Sequence, residues 1–307
     1  MAIMVILALL SLITNHYVPV WMKDNESSHM ELALTQLGSL KASVDNQMLS
    51  AEVLYYTGNE FASMSVYTAI KLGSEGIPVF ASPTPGELAI KQDQGLVSVE
   101  TIGNNSGTNF NVTETTKGNI GLSVPNRYFV PQTLVYENGA IIRYQNDGEM
   151  VVAEPTFLVT NNTVAGNYSY KVAMTIMWLF GVGGTSGSGM DGINSKLIGL
   201  DIRTYDNPNS TVYINHTTSY GDAWYKYYNS TLTQAYEPDP SGVVYSKTST
   251  TTTAETSFYK ITLTKLGFQN YKLSVELKNT GNCLKRLKLN IAYVNIAIGS
   301  KRGETEF

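Results

Sequence analysis

The sequence predicts an α+β chain, mostly β, with a long N-terminal α-helix followed by a large β-sandwich-type head. Three observations carry this expectation. Residues 1–22 are apolar and uncharged. Residues 28–49 place apolar side chains at spacings of three and four, the signature of an amphipathic helix. From about Glu52 the period falls to two, in short runs separated by turn residues. The expected organisation is therefore a helix over 1–50 and a head over 51–307, with the Gly-rich stretch at 181–195 as the candidate boundary between two lobes.

The first segment, MAIMVILALLSLI, is followed by Thr14-Asn15-His16 and then by Tyr17 to Met22, and the first charge is Lys23. As a helix, 22 residues span about 33 Å, close to the hydrocarbon thickness of a bilayer. Tyr17 and Trp21 fall where interfacial aromatics sit. A cleavable secretory signal would show a basic start and a small-x-small cleavage site, and neither is present before Lys23. The remaining readings are a permanent anchor, and a helix that sits first in the membrane and later in a polymer core. In the second reading, a basic leader has already been removed. Self-assembly would then use Met1, Ile3, Met4, Val5, Ile6, Leu7, Leu9, Leu10, Leu12, Ile13, Tyr17, Val20 and Trp21. A kink is expected at Pro19. Ser28-His29-Met30-Glu31 has the form of a capping box, which predicts a helix start there. Met30, Leu34, Leu37, Leu40, Val44 and Met48 form the stripe expected to pack on the head.

In the remainder, Phe258–Leu266 and Tyr271–Lys278 alternate and are joined by Gly267–Asn270 as a hairpin. Lys285–Ile298 turns apolar on both faces after Ile291, which predicts a central strand. Met174–Phe180 reads as a buried strand, too short to span a bilayer. Glu137-Asn138-Gly139 and Asn146-Asp147-Gly148 punctuate further strands. No second helix of useful length is expected; Ala223–Tyr228 reads as a strand with Tyr225 and Tyr227 on one face.

Composition excludes several functions. With 25 acidic against 21 basic residues there is no basic face for nucleic acid. Cys283 alone permits neither an internal disulfide nor a thiolate zinc site. His16, His29 and His216 are too scattered in sequence to suggest a metal cage. Charged residues make up only 15% of the chain, replaced by 32 Thr, 25 Asn and 20 Tyr, a balance that suits a β-rich outer-surface protein better than a cytosolic enzyme.

Gly181–Gly192 (GVGGTSGSGMDG) lacks the Lys of a phosphate loop, the following helix of a dinucleotide fold and the register of a nucleophile elbow. It reads as a flexible inter-strand loop. Asp201 with Asp206, or Glu237 with Asp239, could ligate calcium, but turn and surface roles fit them better. The composition and motifs lead us to expect no cofactor, no metal and no catalysis. Sequons occur at Asn25, Asn104, Asn111, Asn161, Asn167, Asn209, Asn215 and Asn229, which makes covalent glycans an expected partner. Tyr213, Tyr220, Tyr225, Tyr227, Tyr228 and Tyr236 cluster in sequence, suiting either a contact surface or core packing.

The run Val18–Glu26 after the apolar segment, followed by Met30–Met48, resembles the N-terminal region of archaeal pilin-like surface proteins. Val66–Gly73 with Ile77–Gly86, and Leu134–Ile142, resemble later blocks of the same proteins. The resemblance implies an N-terminal helix, a β-rich outer head, export and polymerisation. Asn15 and His16 depart from it, because they put polar atoms inside the apolar segment. The function expected is a structural subunit of an extracellular type IV pilus-like or adhesion filament. It would be a homopolymer, inserted in the cytoplasmic membrane before assembly and exposed at the cell surface afterwards. A membrane-anchored ectodomain that binds a ligand without polymerising, and a carbohydrate-active surface enzyme, are the alternatives.

Overall fold

The computed structural model describes residues 2–105, 108–162, 168–208, 210–236 and 242–299, with the side chains of 102–111 left aside. It is α+β and mostly β. The chain opens with α1 (Ala2–Leu12), a π turn (Ile13–Tyr17) and α2 (Val18–Thr57), which run on without a break. Pro19 explains the π turn. It has no N–H to give the carbonyl four residues back, and its ring crowds that carbonyl. The helix widens instead, and the Val18 N–H donates to the Ile13 carbonyl, five residues back. The irregularity expected at Pro19 takes the form of this widened turn.

The capping box also does not start a helix. Ser28 and Glu31 lie in the middle of α2, because the helix runs on from Val20 to Ser27 with no glycine or proline to stop it. The helix ends at Thr57, beyond the expected residue 50, where Gly58 takes a left-handed φ of 72° and its N–H reaches the Leu54 and Tyr55 carbonyls.

Three sheets make up the head. The first has five strands in the order β1 (Ser65–Lys71), β12 (Met190–Asp206), β18 (Leu284–Ile298), β10 (Tyr170–Val182) and β9 (Phe157–Asn161). The second has six, β11 (Gly184–Gly187), β2 (Gly86–Lys91), β5 (Asn119–Val124), β6 (Gln132–Glu137), β7 (Ala140–Gln145) and β8 (Gly148–Ala153). The third has seven, β14 (Val244–Lys247), β15 (Thr251–Glu255), β16 (Tyr259–Gly267), β17 (Asn270–Leu277), β13 (Val212–Thr218), β3 (Leu96–Asn105) and β4 (Thr108–Thr116). The strand β18 is central, as expected, parallel to β10 and antiparallel to β12. The β16–β17 hairpin forms as read, with Gln269 at a positive φ in its turn.

Two cores lie on opposite faces of the first sheet. In β10, Val172, Met174 and Ile176 face one way, while Met177 and Leu179 face the other. In β18, Leu287, Leu289 and Ile291 join the first group, and Ala292, Val294 and Ile296 the second. The second core is closed by α2. Met30, Leu37, Leu40, Val44 and Met48 are buried there and Leu34 packs at its edge, as the stripe predicts. Polar side chains of α2 secure the same face. Gln36 Oε1 accepts from the Lys71 N–H at 2.8 Å, and Gln47 Oε1 from the Leu197 N–H at 2.9 Å. Glu52 pairs with Lys288 and accepts from Asn290.

The first core is closed by the third sheet and by a helix that the sequence reading did not foresee, α3 (Gly221–Ala235). The segment expected as the strand Ala223–Tyr228 is helical. Its aromatics favour strands locally, yet Ala223, Trp224, Tyr227, Tyr228 and Leu232 recur at helical spacing and are the buried ones. Tyr225 and Tyr227 therefore do not share a strand face.

Gly181–Gly192 is not a free loop either. It is the end of β10, then β11, then the start of β12, and it carries the chain from the first sheet into the second and back. Glycine is required at the crossing: a Cβ on Gly181, at φ 143°, would sit 1.8 Å from the Ile296 carbonyl oxygen.

Candidate functional site

Among the described residues α1 is a continuous apolar helix that buries no residue. Ile3, Met4, Val5, Ile6, Leu7, Leu9, Leu10 and Leu12 are exposed around the whole helix, followed by Tyr17, Val20 and Trp21; Ile13 is half-buried. Met1 lies outside the described residues. This N-terminal helix is long and apolar enough to cross a membrane or to act as a signal sequence. Apolar side chains all round a helix are stable only in lipid or among other apolar surfaces. Inside this segment Asn15 Nδ2 donates to Ser11 Oγ at 3.1 Å, which partly satisfies the polar interruption, and the His16 ring meets Tyr17 edge-on.

The head reaches down onto this segment. Val18 is 2% exposed and Met22 0%, although both lie in the stretch expected to be bare. Next along the same face comes Glu26, also fully buried. Its Oε1 accepts from Thr84 Oγ1 at 2.6 Å and from the Arg127 N–H at 3.0 Å. Its Oε2 accepts from the Tyr128 and Phe129 N–H groups, both at 2.7 Å. Burial works to raise the Glu26 pKa, but the Thr84 hydroxyl and the three backbone amides outweigh it and hold the carboxyl below its ordinary value. Two loops, 74–84 and 125–131, are thereby tied to the helix at one level. Val18, Met22 and Glu26 continue the stripe Met30–Ala33–Leu37 backward at spacing four, so extending that periodicity toward the N-terminus could have found them.

Glu26→Gln keeps one acceptor but turns an amide group toward backbone donors. It is expected to cost about 1–3 kcal/mol, read from urea unfolding at neutral pH. A carboxyl with a lowered folded pKa contributes stability that is complete above its unfolded value of about 4.3 and is lost as pH falls through the folded value. Stability of the Gln variant should therefore fall less steeply on acidification than that of the parent.

A second buried polar group lies between the sheets. Glu137, at the end of β6, accepts from Asn119 Nδ2 at 2.8 Å, Thr218 Oγ1 at 2.7 Å and Trp224 Nε1 at 2.9 Å. His216 Nε2 lies 3.1 Å from Oε1, at ion-pair distance but off the line of a hydrogen bond. Burial pushes the Glu137 carboxyl up, and His216, Asn119 and Thr218 together bring it below its ordinary value. A carboxylate beside an imidazole invites an acid–base reading. Both side chains are 0% exposed, however, and no substrate can reach them without unfolding. The group joins β5, β6, β13 and α3 and acts as a structural tie.

The other candidates separate. Asp201 pairs with Arg203, and Asp206 with Arg286, and among the described residues neither belongs to a group of three or more side chains that could hold a metal ion. Glu237 and Asp239 lie outside the described residues, as do Asn167 and Asn209. Of the other sequons, Asn25 is exposed on α2, with Nδ2 3.4 Å from the Glu75 carbonyl. Asn161 is exposed at the end of edge strand β9. Asn215 is half-buried in mid-sheet and accepts from Ser274, and Asn229 is half-buried on α3, 3.5 Å from the Tyr245 hydroxyl. Asn104 lies in β3 and Asn111 in β4. Tyr220, Tyr227, Tyr228 and Tyr236 are core residues, Tyr225 is half-buried, and Tyr213 is exposed. Cys283 is buried and unpaired. Comparison with protein-family models, with curated proteins and with solved structures gives no match for this chain.

Proposed function

We propose that the chain is a structural subunit of an extracellular filament of the type IV pilus-like kind. It is held in the cytoplasmic membrane by its N-terminal helix before assembly and by neighbouring copies afterwards. One observation carries this reading: α1 is apolar on every side and none of the described residues covers it. Burying each large side chain of such a helix contributes about 1.5–3 kcal/mol, so a bundle of copies offsets the ordering entropy of assembly. The π turn supports the same reading, because a widened turn frees backbone polar groups that need partners from adjacent helices. The head forms the outer surface, and Asn25 and Asn161 are the exposed sequons among those whose side chains are described. The partner is the chain itself, with no cofactor, no nucleic acid and no catalytic step.

Electron microscopy of native material should show uniform thin fibres, and Leu7→Asp, with a charge in the middle of α1, should abolish them while the head stays folded by circular dichroism. Dispersed monomers from the unaltered chain would reject the filament and leave a membrane-anchored ectodomain.

A further inference from the structure

We propose that the loops 76–83 and 126–130 form a collar that inserts its apolar tips into the headgroup layer of a lipid bilayer. The inference rests on the reading that α1 is inserted in a membrane before assembly, and it assigns a lipid-binding role to the head itself.

The argument begins with axial position. Residues 2–21 of a helix span about 30 Å, the thickness of the hydrocarbon core. Glu26 lies five residues further on, about 7.5 Å along the axis, which is the depth of the headgroup layer. Both loops are fixed at that level, one through Thr84 and the other through three consecutive amides. The Asn25 contact to the Glu75 carbonyl adds a further tie. Head atoms extend lower still, since Val18 and Met22 are covered.

The chemistry of the tips comes next. Val79 is fully exposed and Phe80, Tyr128 and Val130 are exposed, in loops where a water-facing surface would carry polar groups. Val79 has φ 71°, a left-handed conformation unfavourable for a β-branched residue. The loop thus presents an apolar side chain outward at a backbone cost. Tyr17, Val20 and Trp21 are exposed on the neighbouring helix, so the collar continues an existing apolar surface. Aromatic and apolar side chains beside a membrane-spanning segment are the groups that partition into the interface. Lys23 and Arg127 are exposed at the same level, where they can meet lipid phosphates.

The test uses the full chain reconstituted in phosphatidylcholine vesicles, some carrying a nitroxide on the upper acyl chain. Because Cys283 is buried, a thiol-reactive fluorophore can be placed on single added cysteines in the folded protein. Val20→Cys reports helix insertion, Val79→Cys and Tyr128→Cys report the two loops, and Glu60→Cys reports the far end of α2. The expected result is a several-fold drop in fluorescence from nitroxide lipid at positions 20, 79 and 128, and none at 60. Quenching at 20 with the loop labels as bright as the label at 60 would overturn the collar and leave the helix reading standing. No quenching at 20 or at the loops would overturn both. Loop labels shielded only in assembled fibres would place the tips against a neighbouring copy, and would also overturn the lipid assignment.

Discussion

A chain lacking residues 2–17 is expected to run as a soluble monomer without detergent, with nearly the folding stability of the whole protein. The reason is that α1 is not buried among the described residues, so its removal takes away exposed apolar surface and no core. The position of the cut matters. Continuing the deletion through residue 22 would also remove Val18 and Met22, both covered by the head. Losing two buried side chains of this size costs about 2–5 kcal/mol each at most, a large part of a typical total of 5–15 kcal/mol. Sedimentation velocity checks the first expectation, and thermal melts of the two truncations check the second. If the shorter truncation still forms large oligomers in water, assembly does not run through α1.

Replacement of Glu137 by Ala is expected to be the most destabilising single substitution in the head. It strands the Asn119 amide, the Thr218 hydroxyl and the Trp224 indole N–H, and it leaves His216 without its carboxylate, all in a place water does not reach. Breaking a buried charged network costs about 3–5 kcal/mol. Gly95 shows how tightly the group is packed, since a Cβ there would lie 2.7 Å from the Glu137 carboxylate. Glu137→Gln should be milder. It can still accept from Thr218 and Trp224 through one oxygen, while its amide opposes that of Asn119. Urea unfolding followed by Trp fluorescence should rank the parent above Gln, and Gln above Ala. Equal stability of the parent and the Ala variant would mean that the tie contributes nothing.

The two tests concern features of different legibility. The helix, its apolar start and its packing stripe from Met30 to Met48 could be read directly, because helical periodicity is local. The hairpin at Gly267–Asn270 and the central place of β18 were legible for the same reason: alternation reports one buried face, and its loss reports two. Where local propensity and tertiary packing disagreed, the reading failed. The aromatics of 223–228 favour a strand by composition, and α3 forms because the first core needs them at helical spacing. The glycines of 181–192 looked like a loop. Most of the run is strand, and at Gly181 and Gly183 the Ile296 and Ile298 carbonyls leave no room for a Cβ.

The sequence alone determined the order and the chemistry of this protein: a charge-free helix, an amphipathic continuation, then strands whose exposed faces use Thr, Asn and Tyr in place of charge. Those properties depend on neighbours within a few residues. Only the tertiary structure decided which polar groups are structural ties. Glu26 meets Thr84 and residues 127–129, and Glu137 meets Thr218 and Trp224, across separations of 58 to 103 residues for Glu26 and 81 and 87 for Glu137. No periodicity can encode such encounters, since they arise only when three sheets and two helices close around their cores.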